Sequence, residues 1–293
     1  MTKAGFVAII GRPNAGKSSL MNYLLGEKIA MVSQKANATR KRLQAIVMHK
    51  HDQIIFVDTP GLHEKERLLN KFMLDEAIKA IGDADITIFL VPVGDNTEDY
   101  ERFLKLTNRK HIILITKMDK ASNEELLKTM TRFAPYEKNF EALIPFSINK
   151  NIGKEQLLDE IVKLLPESPY FYETDILTME NLRDIYREFI REAIFENISD
   201  EIPYATDVII DKVDENPKSE HIRATIVVEK NSQKAIIIGK NGAAIKRVGM
   251  SSRKKIETLI NKKVYIDLFV SVKKGWSKDK EALKNFGYVI TGD

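Results

Sequence analysis

A chain of 293 residues is long enough for two domains, each with its own core. Hydrophobic residues at 43% and charged residues at 30% describe an ordinary globular sequence, and no apolar run nears the roughly 18 residues of a spanning helix. The chain has no cysteine, which excludes disulfides and thiolate-bound zinc and fits a reducing, cytoplasmic setting. Met1-Thr2-Lys3-Ala4-Gly5 leads straight into a first strand without a secretory pattern. The formal charge of +4 is uneven: from Lys230 to Lys263, ten Lys or Arg stand against one acid, Glu257, so the remainder is net negative. A basic block in an otherwise acidic protein is a candidate polyanion site.

Residues 1–166 alternate apolar strands with amphipathic helices. Strands are predicted at 5–10, 43–50, 53–58, 86–92, 111–115 and 142–146, and helices at 17–25, 68–80, 97–107, 122–133 and 154–164. That alternation implies an α/β domain with a mainly parallel sheet and ligands at the carboxyl ends of its strands. Between the first strand and the first helix lies Gly11-Arg12-Pro13-Asn14-Ala15-Gly16-Lys17-Ser18, the G-x-x-x-x-G-K-[ST] phosphate loop. Its glycines let backbone N–H groups converge on a phosphate, and the helix N-terminus adds partial positive charge. Lys17 can reach β- and γ-phosphates, the Ser18 hydroxyl suits Mg²⁺, and Ser19 follows inside the same turn.

The next motifs also fall at strand ends. Asp58 closes Gln53-Ile54-Ile55-Phe56-Val57-Asp58 and precedes Thr59-Pro60-Gly61. A carboxylate there can hold Mg²⁺, and Gly61 lets an N–H approach the γ-phosphate. Ile112–Ile115 runs into Thr116-Lys117-Met118-Asp119, where an acid can accept from N1 and N2 of guanine but meets no such pair on adenine. Ser147-Ile148, after a further strand, offers a backbone N–H to guanine O6.

In order and spacing these motifs resemble the Ras-like GTPases. The resemblance implies GTP and GDP as ligands, Mg²⁺ held by Ser18, Asp58 and Thr39, and catalytic parts at Lys17, Thr39 and Gly61. Two positions depart from it. Thr116 stands where Asn is usual, which bears on affinity. Leu62 stands where a water-orienting Gln is usual, which resembles a subgroup in which an Asn matching Asn14 helps bind K⁺. Slow intrinsic hydrolysis is expected.

Leu165-Pro166-Glu167-Ser168-Pro169 breaks the last helix, and 167–179 reads as a linker whose Tyr170, Phe171 and Tyr172 should pack on something. Residues 180–293 form a second domain. A helix over 180–198 carries Arg183, Arg187 and Arg191 along one side, expected as a solvated, acid-paired face. Strands follow at about 205–214 and 221–229. Ala235–Ile238 then runs into Gly239-Lys240-Asn241-Gly242 and a helical Ala243–Val248, a second helix carries Arg253-Lys254-Lys255, and a strand spans 264–270. Two glycines in this place let the backbone approach a sugar-phosphate chain, with Lys240, Lys246, Arg247 and Lys254 supplying charge. An apolar groove from Ile237, Ile245 and Val228 would hold splayed bases. The basic block contains no aromatic residue, which argues against stacking platforms. The order helix-strand-strand-helix-helix-strand resembles the type II KH domain, which binds single-stranded RNA.

A Ras-like domain with Leu62 followed by one KH domain resembles the Era family of bacterial ribosome-assembly GTPases. Val272-Lys273-Lys274-Gly275-Trp276, Asn285-Phe286-Gly287-Tyr288 and Glu201-Ile202-Pro203-Tyr204 fit that pattern too, whereas Ala38 replaces the first of two adjacent threonines. The family implies binding near the 3′ end of small-subunit (16S) ribosomal RNA, assistance to small-subunit assembly, and peripheral association with the inner membrane. Two other readings of the residues stand beside it: a GTPase whose second domain docks a protein or the membrane surface, and an RNA-binding module that holds nucleotide structurally.

Overall fold

The computed structural model describes residues 1–33, 39–61, 68–199 and 201–288; Ala38 and Leu62 lie outside them. The described residues form two compact units.

The first unit is built on β1 (Ala4–Gly11), β2 (Leu43–His49), β3 (Asp52–Asp58), β4 (Ile86–Pro92), β5 (His111–Thr116) and β6 (Ala142–Pro145). Their order is β2-β3-β1-β4-β5-β6, with β2 antiparallel to β3 and every other pairing parallel. The helices are α1 (Lys17–Leu25), α2 (Leu68–Asp83, of which Met73 onward belongs to this unit), α3 (Glu98–Leu104), α4 (Asn123–Phe133) and α5 (Lys154–Leu164). Central strands are apolar at consecutive positions because both faces are covered. Ala8 and Ile10 join Phe89, Val91, Ile113 and Ile115 under Ala80 of α2, Tyr100 and Phe103 of α3 and Phe133 of α4. Val7 and Ile9 point the other way and are also fully buried. The strand order turns at β1, flanked by β3 and β4, which opens a crevice at its carboxyl end.

Residues 167–179 pack with this unit up to the point where the chain passes into the second. The Gln53 side chain, fully buried, accepts from the Phe171 and Tyr172 N–H groups and donates to the Tyr172 carbonyl at 2.8 Å. The Phe171 ring packs 5.2 Å from that of Phe6, and the Ile46 N–H donates to the Leu177 carbonyl. The three aromatics mark a segment pinned along β2 and β3.

The second unit contains α6 (Leu182–Asn197), β7 (Asp207–Glu215), β8 (Ser219–Val228), α7 (Asn231–Ile238), α8 (Ala243–Ile260), β9 (Lys263–Val272) and α9 (Lys280–Asn285). β7 pairs antiparallel with β8, and β8 parallel with β9. Ile190 and Ile194 of α6, Ile237 of α7 and Val248 of α8 cover one sheet face through Ala224, Ile226 and Val228. The solvated arginine face is corrected: Arg183 is exposed, but Arg187 and Arg191 are buried. The chain after β9 returns over them, and Arg187 donates to the Phe286 carbonyl at 3.0 Å. Arg191 donates to both oxygens of Glu188, at 2.9 and 2.7 Å.

A buried guanidinium in a two-pronged pair is costly to break from one side. Arg191→Met should therefore destabilise the second unit by about 3 kcal/mol, read as an earlier urea transition with an unchanged slope.

Candidate nucleotide and RNA sites

The phosphate loop runs from the end of β1 to the start of α1. The Lys17 ammonium is buried and donates to the carbonyls of Gly11 at 3.1 Å and Arg12 at 3.0 Å. Ser18 Oγ donates to Asp58 Oδ2 at 2.6 Å and lies 3.0 Å from Thr39 Oγ1. Three residues far apart in sequence thus converge on one point. Asp58 is fully buried, and its Oδ1 has no hydrogen-bond partner in the structure. Burial pushes the Asp58 carboxyl up to about 6, against the opposing pull of Ser18 and Lys17. Burial also pushes the Lys17 ammonium down to about 8. An anion at Lys17 and a divalent cation at Asp58 would relieve both costs, since each supplies the opposite charge that water no longer screens. An orphaned carboxylate oxygen beside two hydroxyls is a hard-oxygen set, which fits Mg²⁺. Gly61 stands over the loop, where a Cβ would come 3.0 Å from the Pro13 nitrogen, a tight contact that would press on the loop.

The base end is a separate cluster. A cavity of about 300 Å³ is lined by Ala15, Gly16, Ser19, Thr116, Lys117 and Asp119, with Ile148 and Asn149. Thr116 Oγ1 donates to the Ala15 carbonyl at 3.0 Å, and Lys117 Nζ donates to the Asn14 carbonyl at 2.6 Å. Asp119 accepts from Ser147 Oγ at 2.7 Å and from Asn149 Nδ2 at 2.8 Å. Those two bonds, Ser147 first, hold its carboxyl below the usual range. Two residues escaped the sequence reading. Asp95 takes the Arg12 guanidinium at 2.5 and 2.9 Å, so Arg12 serves the loop through its backbone. Asn149 falls two residues after Ser147, and no motif spacing marks it.

In the second unit, Gly239 (φ 72°) and Gly242 (φ 75°) bracket the turn between α7 and α8. A Cβ at Gly239 would sit 2.7 Å from the Ala244 Cβ, which makes glycine obligatory. Lys240 is exposed at the tip. Beside α8 and the free edge of β9 lies a groove of about 430 Å³. Ile245, Lys246, Gly249, Met250 and Arg253 line it from α8, and Tyr265 and Leu268 from β9. The predicted groove is corrected accordingly: Ile245 lines it, but Ile237 and Val228 are fully buried in the core. Arg247 and Lys254 are exposed off this face, because α8 presents positions three and four apart. Arg253 is the second cation of the groove. Tyr265, 57% exposed, lies just past the basic block and brings an aromatic face to the site.

A phosphate loop, a buried strand-end Asp and a carboxylate lining the cavity beside that loop, on a doubly wound sheet, are the parts of a P-loop GTPase, here joined to a helix-strand-strand-helix-helix-strand unit with a glycine turn. Residues 6–117 match the family described as 50S ribosome-binding GTPase, and residues 201–277 match the KH domain. The GTPase Era of Campylobacter concisus (strain 13826) is 51% identical over 98% of this chain and 100% of its own. A crystal structure of a single-residue variant of Aquifex aeolicus Era bound to GDP.AlF4⁻ superposes with a TM-score of 0.93 at 32% identity, over 98% of this chain and 100% of that one. A structure of Era in complex with MgGDPNP and nucleotides 1506–1542 of 16S ribosomal RNA gives the same score and identity, over 99% and 100%. The chain belongs to the Era family of GTPases. Among the described residues no helix is long and apolar enough to cross a membrane.

Thr116→Val keeps the shape of this side chain but leaves the Ala15 carbonyl without its donor. Stability should fall by about 1 kcal/mol in urea unfolding, and Thr116→Ser, which keeps the hydroxyl, should recover most of it.

Proposed function

We propose that this GTPase uses its nucleotide state to regulate a grip on the 3′ end of 16S ribosomal RNA, and that it assists small-subunit assembly by this means. The observation that carries the reading is the presence, in one chain, of the Lys17–Ser18–Asp58 phosphate site and a glycine turn beside a groove lined by Lys246, Arg253 and Tyr265. The Era relative bound to MgGDPNP and 16S nucleotides 1506–1542 supports it.

In this reading the loop N–H groups of Asn14, Gly16, Lys17 and Ser18 bind the phosphates, and Lys17 moves its ammonium from the loop carbonyls to the β- and γ-phosphoryl oxygens. Ser18, Asp58 and Thr39 hold Mg²⁺, which supplies charge against the phosphoryl oxygens as the terminal bond breaks. Thr39 and the Gly61 N–H sense the γ-phosphoryl group and are released when it leaves. Asp119 accepts from guanine, while Ile148 offers its N–H to O6. Gly239-Lys240-Asn241-Gly242 carries the RNA backbone, Lys246 and Arg253 neutralise phosphates, and Tyr265 stacks on a base. Arg247 and Lys254 act along the same strand outside the groove.

The resemblance adds K⁺ at Asn14 and a peripheral contact with the inner membrane. Asn14 sits at φ 60°, the left-handed turn conformation, and its carbonyl takes Lys117. Single-turnover hydrolysis in K⁺ against Na⁺ tests the first, and flotation with anionic vesicles the second.

Binding of a 16S 3′-end oligonucleotide tests the main reading. Lys246→Ala should weaken binding at every sequence and lower the log-log salt slope by about 0.7. A slope that stays unchanged, or binding that ignores salt, would favour a protein-docking role for this unit. Asp119→Asn should shift preference from guanine to xanthine nucleotides.

A further inference from the structure

Thr116 donates its one hydroxyl proton to the Ala15 carbonyl, so it has no donor left for a base. Among the described residues, Asp119 is the only carboxylate lining the base cavity. Discrimination at this end therefore falls on one side chain, at the surface of a short turn, Met118–Lys120, and only partly buried. A carboxylate so placed turns freely unless something holds it. Here each of its oxygens is held by a different donor: Oδ1 by Ser147 Oγ and Oδ2 by Asn149 Nδ2.

We propose that Asn149 is a positioning residue for guanine, fixing the plane of the Asp119 carboxylate so that both oxygens face the base together. This rests on the reading of Asp119 as the guanine acceptor. A carboxylate offers about four acceptor positions. Ser147 and Asn149 occupy two, one on each oxygen, and the two that remain match the N1–H and N2–H donors of guanine. The loop that carries Asn149 is itself closed. Ser147 and Ile152 exchange both backbone hydrogen bonds, at 3.1 and 3.0 Å, and the Lys150 N–H donates to Ser147 Oγ at 3.1 Å. The Tyr23 hydroxyl of α1 donates to Asn151 in the same loop. The carboxamide is thus presented from a tied platform, as an alignment device requires.

A double-mutant cycle on the full chain tests this, with GDP and ADP affinities measured by calorimetry for wild type, Asn149→Ala, Asp119→Ala and the double variant. Asn149→Ala should weaken GDP binding about three- to tenfold, leave ADP binding where it was, and cost nothing further on Asp119→Ala. Unchanged or tighter GDP binding by Asn149→Ala would overturn the inference, the latter by showing that the amide blocks the acceptor. An equal loss in both backgrounds would overturn it too, by placing the effect in the loop and not in Asp119. A preference for GDP over ADP that survives Asp119→Ala would instead sink the underlying reading.

Discussion

Two opposite charges are buried at the carboxyl end of β1 and are not hydrogen-bonded to each other. Lys17 gives its protons to two loop carbonyls, and Asp58 takes one hydroxyl and leaves Oδ1 without a partner. An unsatisfied buried carboxylate oxygen costs on the order of a few kcal/mol, so the surrounding fold must hold it against collapse or solvation. The sheet does this. Asp58 ends β3, Lys17 opens α1, and both flank β1, whose side chains are buried on both faces. Thr59 adds a hydroxyl bond to the Ile9 carbonyl at 2.7 Å, tying the strand end to its neighbour. The orphaned oxygen is a desolvation cost that the buried core bears.

That arrangement was legible in the sequence because each part is local. Gly11 to Ser18 is one continuous stretch, Asp58 closes an apolar run at a strand end, and Asp119 follows the end of β5 by three residues. What could not be read is what depends on residues brought from afar. Arg187 and Arg191 carry the same helical spacing whether water or the returning C-terminal segment covers them; only Phe286 and its neighbours decide it. Ile237 and Val228 are apolar beside a groove made of Ile245, Met250 and Leu268, and an apolar residue looks alike on either side of a helix until the sheet is placed. Asn149 has no spacing signature at all. Its importance comes from a 2.8 Å contact with a residue thirty positions away.

The phase of α8 also separates two kinds of cation that composition had pooled. Lys246 and Arg253 share the groove with an exposed tyrosine, whereas Arg247 and Lys254 lie off it. A phosphate contact in a groove fixes the register of a strand, while a charge beside the groove raises local attraction without orienting anything. In the proposed RNA reading the +9 block thus divides into a groove pair and a surrounding field, and Tyr265, outside the block, adds the aromatic face that the block lacks.

The turn after β5 and the phosphate loop are likewise joined by particular bonds. Thr116 at the end of β5 holds the Ala15 carbonyl, and Lys117, one residue on and at φ 61°, holds the Asn14 carbonyl. Both tie the base-end turn to the centre of the phosphate loop. A threonine suffices for this because the work is to fix a backbone carbonyl about 3 Å away, within reach of a hydroxyl. Thr116, standing where asparagine is usual, thereby ties β5 to the phosphate loop. Distortion of the loop at either end must then be felt at the other, since the carbonyls that orient the loop's N–H groups are the ones these side chains hold. In the proposed reading, grip on the phosphates and choice of base would then share one loop conformation.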